Sequence, residues 1–225
     1  MYIQDKDGAP RLVNLPVEND RQLDAVAVGE DGSLYLFYVK EGTDGKTQPY
    51  VLEKRNEDLQ IIYSVDITAD MEKVSEERKS TVHIYDMEVD SNGWLYGLGL
   101  DGMVLCWDED GNFQNRFDLP VNMRDSWNTC YGLVNAGSAG VFAYWGGRDQ
   151  IAIKSIHLYD LNSWREMDDE QRSAASPLRA DFSSAPESAG VDTNQLLLFS
   201  GYGDGIYMAD QNRLWQIDLA DGSLQ

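Results

Sequence analysis

The chain has 225 residues, with 18 Lys and Arg against 39 Asp and Glu, so that its formal net charge is −21. Such an acidic surface repels phosphate backbones and anionic lipid headgroups, and we therefore expect binding neither to nucleic acid nor to an anionic membrane surface. Hydrophobic residues make up 42% of the chain, which excludes wholesale disorder and suits one large all-β domain or two small ones. No apolar run is long enough to cross a bilayer as a helix, and the N-terminal stretch MYIQDKDGAP lacks a signal-peptide pattern.

Asp-Gly and Asn-Gly pairs recur along most of the chain. Such pairs favour the two-residue turns of β-hairpins, because both of their residues tolerate positive φ. They begin at positions 7, 31, 44, 92, 101, 110, 204 and 221. Apolar and aromatic residues alternate between them, as in strands that bury one face. The pattern predicts consecutive antiparallel hairpins.

A longer repeat contains these hairpins. The stretch DAVAVGEDGSLYLF, which starts at Asp24, aligns without gaps on YDMEVDSNGWLYGL, which starts at Tyr85. A following strand ends in an aromatic or apolar residue and then an aspartate, at Asp108, Asp160 and Asp218. These markers recur roughly every fifty residues, and four strands at that period are typical of a β-propeller blade.

The predicted fold class is therefore all-β: a β-propeller of four-stranded antiparallel blades, with about four blades plus a half-blade visible. As a single propeller region, 1–225 divides in chain order into a half-blade at 1–16, blades at 23–66, 84–120 and 129–165, an insertion at 166–195 and an incomplete blade at 196–225. The chain opens on the last two strands of one blade and stops as a fourth strand would begin. We therefore expect it to be part of a larger propeller.

Three polar stretches interrupt the repeat. Residues 40–49 lengthen one hairpin, 68–81 are charged and predict a short helix between two blades, and 162–195 begin as a helix before a Ser- and Pro-rich loop. Long insertions on a rigid scaffold either carry function or are simply tolerated, and both interpretations stay open.

Neither a metal nor a cofactor is expected. The stretches Asp108–Asn112 and Asp5–Gly8 resemble the start of a calcium loop, but a ligand before the glycine and the glutamate at the twelfth position are missing. Hairpin turns explain both stretches without an ion. Cys106 and Cys130 have no zinc-site spacing, and either one disulfide or two free thiols are compatible with them.

Catalysis has little support in the sequence. The only histidines are His83 and His157, and no nucleophile motif accompanies them. Paired carboxylates would suit a glycoside hydrolase or lyase, but the sequence does not single out two of the 39 acidic residues. A binding role is therefore the main expectation, and a glycoside hydrolase or lyase is the alternative.

Aromatic residues suggest a carbohydrate site, because ring faces stack on sugars while Arg and Asp bind the hydroxyls. They make up 11% of the chain, and several of them accompany Arg or Asp in the last two predicted blades. The candidate ligand-binding residues are Trp127, Tyr131, Tyr144, Trp145, Arg148, Tyr202 and Asp204. The competing interpretation is that aromatics fill the layers between blades, as is expected of Trp94, Trp107 and Trp215.

The unit IYDMEVDSNGWLYGLGLDGMVLCWDEDGNFQNRFDLP, from Ile84 to Pro120, resembles the blades of NHL- and PQQ-type bacterial β-propellers. NHL-like blades imply a binding or scaffold role with the ligand at one end of the axis. A quinoprotein would require a vicinal cysteine pair and a tryptophan docking motif that this chain lacks, so the cofactor does not carry over. The chain is also similar to propeller regions of extracellular solute-binding lipoproteins, which implies an extracellular or cell-surface location.

The sequence thus predicts a non-catalytic propeller module of a bacterial surface or secreted protein. Its expected partner is a carbohydrate, a peptide or a protein, and further blades or domains of a longer chain are expected beside it. A propeller hydrolase or lyase is the first alternative, and a purely structural spacer is the second.

Overall fold

Four antiparallel sheets follow one another along the chain, after a separate two-stranded sheet near its start. The computed structural model describes residues 2–4, 10–12, 21–40, 49–80, 82–99, 102–120, 129–149, 152–153, 155–182, 198–209 and 213–225. The N-terminal sheet pairs β1 (Tyr2–Gln4) with β2 (Pro10–Leu12).

Each of the four larger sheets is one blade. The first blade contains β3 (Arg21–Val28), β4 (Leu34–Lys40), β5 (Tyr50–Arg55) and β6 (Ile61–Asp66). The second contains β7 (Ile84–Val89), β8 (Leu95–Gly99), β9 (Met103–Trp107) and β10 (Phe113–Asp118). The third contains β11 (Thr129–Asn135), β12 (Val141–Asp149), β14 (Ser155–Asp160) and β15 (Leu178–Asp181), with the short β13 (Ala152–Ile153) beside β12. The fourth contains β16 (Leu198–Tyr202), β17 (Gly205–Ala209) and β18 (Leu214–Ile217).

The first strands of the blades lie innermost. β3 packs against β7, β7 against β11, and β11 against β16, so that neighbouring blades meet along these strands. The arrangement is a four-bladed β-propeller and confirms the predicted fold class. The larger propeller that the sequence suggested stays a prediction.

Strand alternation explains how the blades stack. Every residue of β8 and β9 is buried, because a middle blade packs on both of its faces. Leu95, Leu105 and Trp107 join the hydrophobic cluster shared with the first blade. Tyr96 and Cys106, on the opposite face of the sheet, join the cluster shared with the third blade. A third cluster joins the third blade to the fourth.

The expected helix between the first two blades is confirmed as α1 (Thr68–Arg78). Met71 and Val74 anchor it in the core between these blades. It ends at Lys79, whose φ of 55° turns the chain into the left-handed conformation that closes many helices. No helix within the described part of the chain has the length and apolar character that spanning a bilayer requires.

The third blade extends beyond its predicted end. After α2 (Leu161–Glu166) and α3 (Asp169–Ala174), β15 pairs with β14 and becomes the outermost strand. The range 166–195, expected to be an insertion, therefore supplies a blade strand. This strand, β15, has only four residues, too few to form a recognisable alternating pattern beside a Ser- and Pro-rich stretch.

The fourth blade uses the last residues of the chain. Gln216 and Gln225 exchange two backbone hydrogen bonds of 3.0 and 2.9 Å, and Leu224 bridges to Ile217. The stretch from Ser223 thus takes the fourth place in this sheet, where the sequence predicted that a strand would begin.

The acidic turn after β9 is held by its own side chain. Asp108 Oδ1 accepts hydrogen bonds from the backbone amides of Asp110 and Asn112, at 3.1 and 2.9 Å. Gly111 supplies the positive φ that the turn requires, at 81°. The carboxylate therefore has a structural role in this hairpin. The corresponding stretch at 5–8 lies outside the described residues.

Candidate axial binding site

A cavity of about 600 Å³ lies between the innermost strands, where they run into the turns that lead to the second strands. All four blades contribute to it. The lining residues are Val28, Glu30, Glu88, Leu133, Val134, Asn135, Gly137, Ser138, Phe199, Ser200, Gly201, Tyr202, Gly203 and Asp204. We call this space the axial cavity.

Polar side chains join the inner strands around the axial cavity. Asp24 accepts a hydrogen bond from the backbone amide of Ile84 at 3.3 Å, and Asp86 accepts one from Leu133 at 2.6 Å. Asn135 donates from Nδ2 to the carbonyl of Val89 at 2.7 Å. These bonds satisfy backbone groups at sheet edges that would otherwise lack partners, and they hold the wall of the cavity in place.

The third and fourth blades are in direct contact beside the axial cavity. Asp204 Oδ1 accepts from the hydroxyl and the backbone amide of Ser138, both at 2.8 Å. The Ser138 hydroxyl, followed by its amide, holds the pKa of Asp204 below its usual value. Beside this contact, Gly201 lies directly against the carbonyl of Asn135, so that a Cβ at Gly201 would be 1.5 Å from that oxygen.

The charges that line the axial cavity are all negative. Glu30, Glu88 and Asp204 supply the carboxylates, and no Lys, Arg or His is found among its described lining residues. Asn135, Ser138 and Ser200 supply neutral polar groups. The site can therefore accept hydrogen bonds and bind positive charge, but it offers no side-chain cation to an anion.

Glu88 is the most perturbed of these carboxyls. Burial, and next the nearby carboxylate of Asp86, raise the pKa of Glu88 to about 7. Among the described residues no side chain donates a hydrogen bond to it. Burial also raises the pKa of Asp86, whose carboxylate accepts a hydrogen bond from the backbone amide of Leu133. Asp86 therefore does not stabilise the ionised form of Glu88. A carboxyl in this state changes charge near neutral pH.

Replacing Glu88 with glutamine should change how stability depends on pH. The folded protein holds this proton up to about pH 7, whereas the unfolded chain loses it near 4.5, so wild-type stability falls as pH rises between these values. The glutamine variant lacks this loss. We expect it to be more stable than wild type at pH 8 by about 1–2 kcal/mol and similar at pH 5. Urea unfolding at both pH values measures the difference, and identical profiles would show that Glu88 does not titrate in this range.

Aromatic rings form the remaining wall of the cavity. Tyr202, the last residue of β16, is 81% exposed, although large aromatic side chains are usually buried for the most part. Phe199 lines the cavity and packs on Tyr144, with 4.4 Å between ring centroids. Tyr202 therefore offers a free ring face to a ligand, whereas Phe199 is fixed from behind.

The structure separates the predicted site residues. Tyr202 and Asp204 lie together in the axial cavity. Tyr131, Tyr144 and Trp145 surround a second cavity of about 10 Å³, the volume of a single water molecule. These three are half-buried among the side chains between blades, where Trp107 and Trp215 also lie, as the competing interpretation of the aromatics expected.

The other two candidates have less structural definition. The backbone of Arg148 pairs with Ile153 at the end of β12, and its side chain lies outside the described atoms. Trp127 lies outside the described residues. Binding of carbohydrate by the seven candidates remains a prediction.

Sequence reasoning missed most of the axial lining, including Glu88, Asn135 and Ser138. One signal for Glu88 was present. In IYDMEV the acidic Asp86 and Glu88 alternate with the buried Met87 and Val89, within the innermost strand of a blade. Glu88 pairs with Tyr96 and so lies on the sheet face that meets the third blade, and a charged side chain there marks a place where the layer between blades opens to a polar space.

Comparison with known proteins adds distant likenesses only. No protein-family model matches the chain, and no curated protein matches its sequence. AztD from Citrobacter koseri is 10% identical with a TM-score of 0.48, over 90% of this chain and 45% of that one. A protein of unknown function from Bacteroides caccae is 12% identical with a TM-score of 0.46, over 97% and 70%. A fragment of HIRA is 11% identical with a TM-score of 0.43, over 95% and 57%.

The chain thus spans less than half of the length of the AztD chain. Its sheet topology by itself establishes what it is in structural terms: a β-propeller of four blades with an acidic cavity between its innermost strands.

Proposed function

We propose that this propeller is a non-catalytic binding module that takes its ligand in the axial cavity. One observation carries the proposal: all four blades converge on one cavity of about 600 Å³, within the size range of small-ligand sites. The NHL-like blade pattern supports a binding role at an end of the axis. A carbohydrate, a peptide or a segment of a partner protein is the proposed ligand, and a bacterial surface or secreted protein is the proposed context.

The construction of the cavity supports this role. Its walls are β-strands tied to one another by Asp86, Asn135 and Asp204, so that the lining is held before a ligand arrives. A prepared site loses little side-chain freedom on binding. Tyr202 stands exposed at the rim, where its ring can stack on a sugar or on an apolar side chain.

Filling the cavity should abolish binding. We expect wild type to bind at least one member of a panel of immobilised glycans and peptides, and Ser200→Trp to lose that binding. Ser200 is an exposed strand residue that lines the cavity, so the indole occupies the space of the ligand. Ser64→Trp is the matched control, because Ser64 is an exposed serine in the outermost strand of the first blade.

Binding that survives in Ser200→Trp at wild-type strength would place the ligand elsewhere and contradict the proposal. Loss in both tryptophan variants would point to a general effect of the substitution. Thermal melts of both variants test whether the fold is retained. The absence of any ligand on the panel would favour a structural spacer.

A glycoside hydrolase or lyase is the second candidate, because the pKa of about 7 at Glu88 is suited to a general acid. Glu30 and Asp204 lie in the same cavity and could act as the second carboxylate. Incubating the protein with the bound glycans, and measuring new reducing or unsaturated ends, decides between the two. Turnover that Glu88→Gln removes would establish the enzyme.

A further inference from the structure

We propose that the axial cavity selects a positively charged ligand group, an alkylammonium or guanidinium such as a lysine or arginine side chain presents. This inference rests on the proposed function, because it names the ligand chemistry of the same site. It goes beyond that function by excluding ligands that carry only neutral or anionic groups.

The first step is the balance of charge within the cavity. Glu30 reaches it from the first blade, Glu88 from the second and Asp204 from the fourth. The lining residues that the structure describes include no basic side chain. An anion would therefore meet repulsion from three directions, and a neutral ligand would leave these charges uncompensated.

The second step is the state of Glu88. Its carboxyl lies half-buried at the cavity and receives no hydrogen bond from a described side chain. Ionising such a group costs free energy unless an opposite charge approaches it. A bound ammonium or guanidinium would supply that charge, in surroundings where water screens the attraction less than at an open surface.

The third step is the fit of the remaining wall. Val28, which is 42% exposed, and the ring of Phe199 give the cavity an apolar part against which the methylene stem of a lysine or arginine can lie. The exposed ring of Tyr202 offers a face for a cation, an interaction that strengthens when the site excludes water. Stem and head of the same side chain thus both find partners.

The fourth step concerns the whole molecule. Its net charge of −21 produces a field that attracts cations before contact is made. Binding should therefore be weakened by salt, because ions screen the attraction over short distances.

Proton release gives a signature that simple charge attraction lacks. The charged groups around Glu88 are Asp86 on its own strand, Glu30 in the first blade and Asp204 in the fourth, and Asn135 and Ser138 are neutral neighbours. Because burial gives Glu88 a pKa of about 7, Glu88 changes charge between pH 6 and 8. A cation that binds the carboxylate must displace its proton, so affinity should rise over this range.

The test measures binding of a fluorescent peptide, Gly-Gly-Lys-Arg-Lys-Gly-Gly, by anisotropy at pH 6 and pH 8. We expect wild type to bind about tenfold more tightly at pH 8, the change in the ionised fraction of a carboxyl whose pKa is about 7. The same peptide with norleucine and citrulline in place of Lys and Arg keeps its shape but loses its charge, and it should not bind. Spermidine is the small-molecule source of the same chemistry.

Two carboxyl variants separate Glu88 from general acidity. Glu88→Gln should lower affinity at pH 8 about tenfold and remove the pH dependence. Glu170→Gln removes the same charge from the exposed first turn of α3 and should bind as wild type does. Equal losses in both variants, or a pH dependence that persists in Glu88→Gln, would overturn the role of Glu88.

The probes also separate this inference from the proposed function. If neutral glycans or the citrulline peptide bind in a way that Ser200→Trp abolishes, while the basic peptide does not bind, the cavity is a binding site but the charge rule is wrong. If no probe is sensitive to Ser200→Trp, both proposals fail. Tighter binding of the peptide than of spermidine would identify a protein segment as the source, and the reverse would identify a free amine.

Discussion

Substitution of Asp90 with alanine should destabilise the protein by about 3–5 kcal/mol, because it removes the centre of a buried polar network. Asp90 is 4% exposed in the turn after β7. Its Oδ1 accepts from the backbone amides of Asn92 and Trp94, at 2.9 and 2.8 Å. Its Oδ2 accepts from Asn162 Nδ2 at 2.6 Å, which ties the second blade to the third.

Arg165 adds a positive charge to the network around Asp90. Arg165 Nη1 lies 3.8 Å from Asp90 and donates to the hydroxyl of Tyr96 at 2.8 Å, while its guanidinium lies 3.9 Å from the centre of the Trp94 ring. Without Asp90, the side-chain amide of Asn162 would lose its acceptor at a joint between blades, and Arg165 would lose a nearby opposite charge while it keeps its bonds to Glu166 and Tyr96. Leaving buried polar groups without partners costs more than the net value of the bonds.

Asp108→Ala is the matched control. Asp108 holds the turn after β9 through the same kind of bonds to two backbone amides, but it is only half-buried and the bonds described for it stay within its own blade. We expect its loss to cost about 1 kcal/mol. Urea unfolding of both variants measures the difference, and equal losses would show that the bonds between blades add nothing.

Replacing Gly201 with alanine should cost about 3 kcal/mol and loosen the axial cavity. A Cβ at this position would lie 1.5 Å from the carbonyl oxygen of Asn135, and a backbone group cannot rotate away as a side chain can. The innermost strands of the third and fourth blades would have to separate. Forced repacking of this kind lowers the melting temperature of a chain of this size by roughly 6–12 °C.

The control for Gly201 lies two residues along the chain. A Cβ at Gly203 would meet no atom within 4 Å, and its φ of +55° is the only obstacle to a side chain. Gly203→Ala should therefore cost about 1 kcal/mol, the price of left-handed backbone alone. Thermal melts compare the two variants, and a Gly203→Ala as damaging as Gly201→Ala would mean that backbone conformation, rather than the contact between blades, sets the cost.

Local chemistry was sufficient to predict the second blade. The range 84–120, predicted as one blade, contains β7, β8, β9 and β10. Aspartate and glycine form its turns, as Asp108 and Gly111 do after β9. The alternation of apolar and polar residues indicated which side chains of its strands are buried. The outermost strand of the third blade was missed, because β15 becomes a strand through pairing with β14 across two helices.

The candidate site was less accessible to sequence reasoning. Tyr202 and Asp204 were chosen because aromatic rings stack on sugars and aspartates bind their hydroxyls, and both residues lie in the axial cavity. Tyr131 and Trp145 were chosen by the same argument but pack between blades. Composition does not distinguish an aromatic that stacks on a ligand from one that fills a core, because both functions use the same apolar ring face.

The sequence by itself determined the repeating strand and turn pattern, the propeller class and the strongly acidic character of this protein. Each of these properties depends on residues close together in the chain or on total charge, so it can be predicted without knowing which distant residues contact each other. Only the tertiary structure decided that Glu30, Glu88 and Asp204 share one cavity, with Gly201 permitting the close approach that shapes its wall. Those residues belong to different blades, and only the packing of blades around a common axis brings them together.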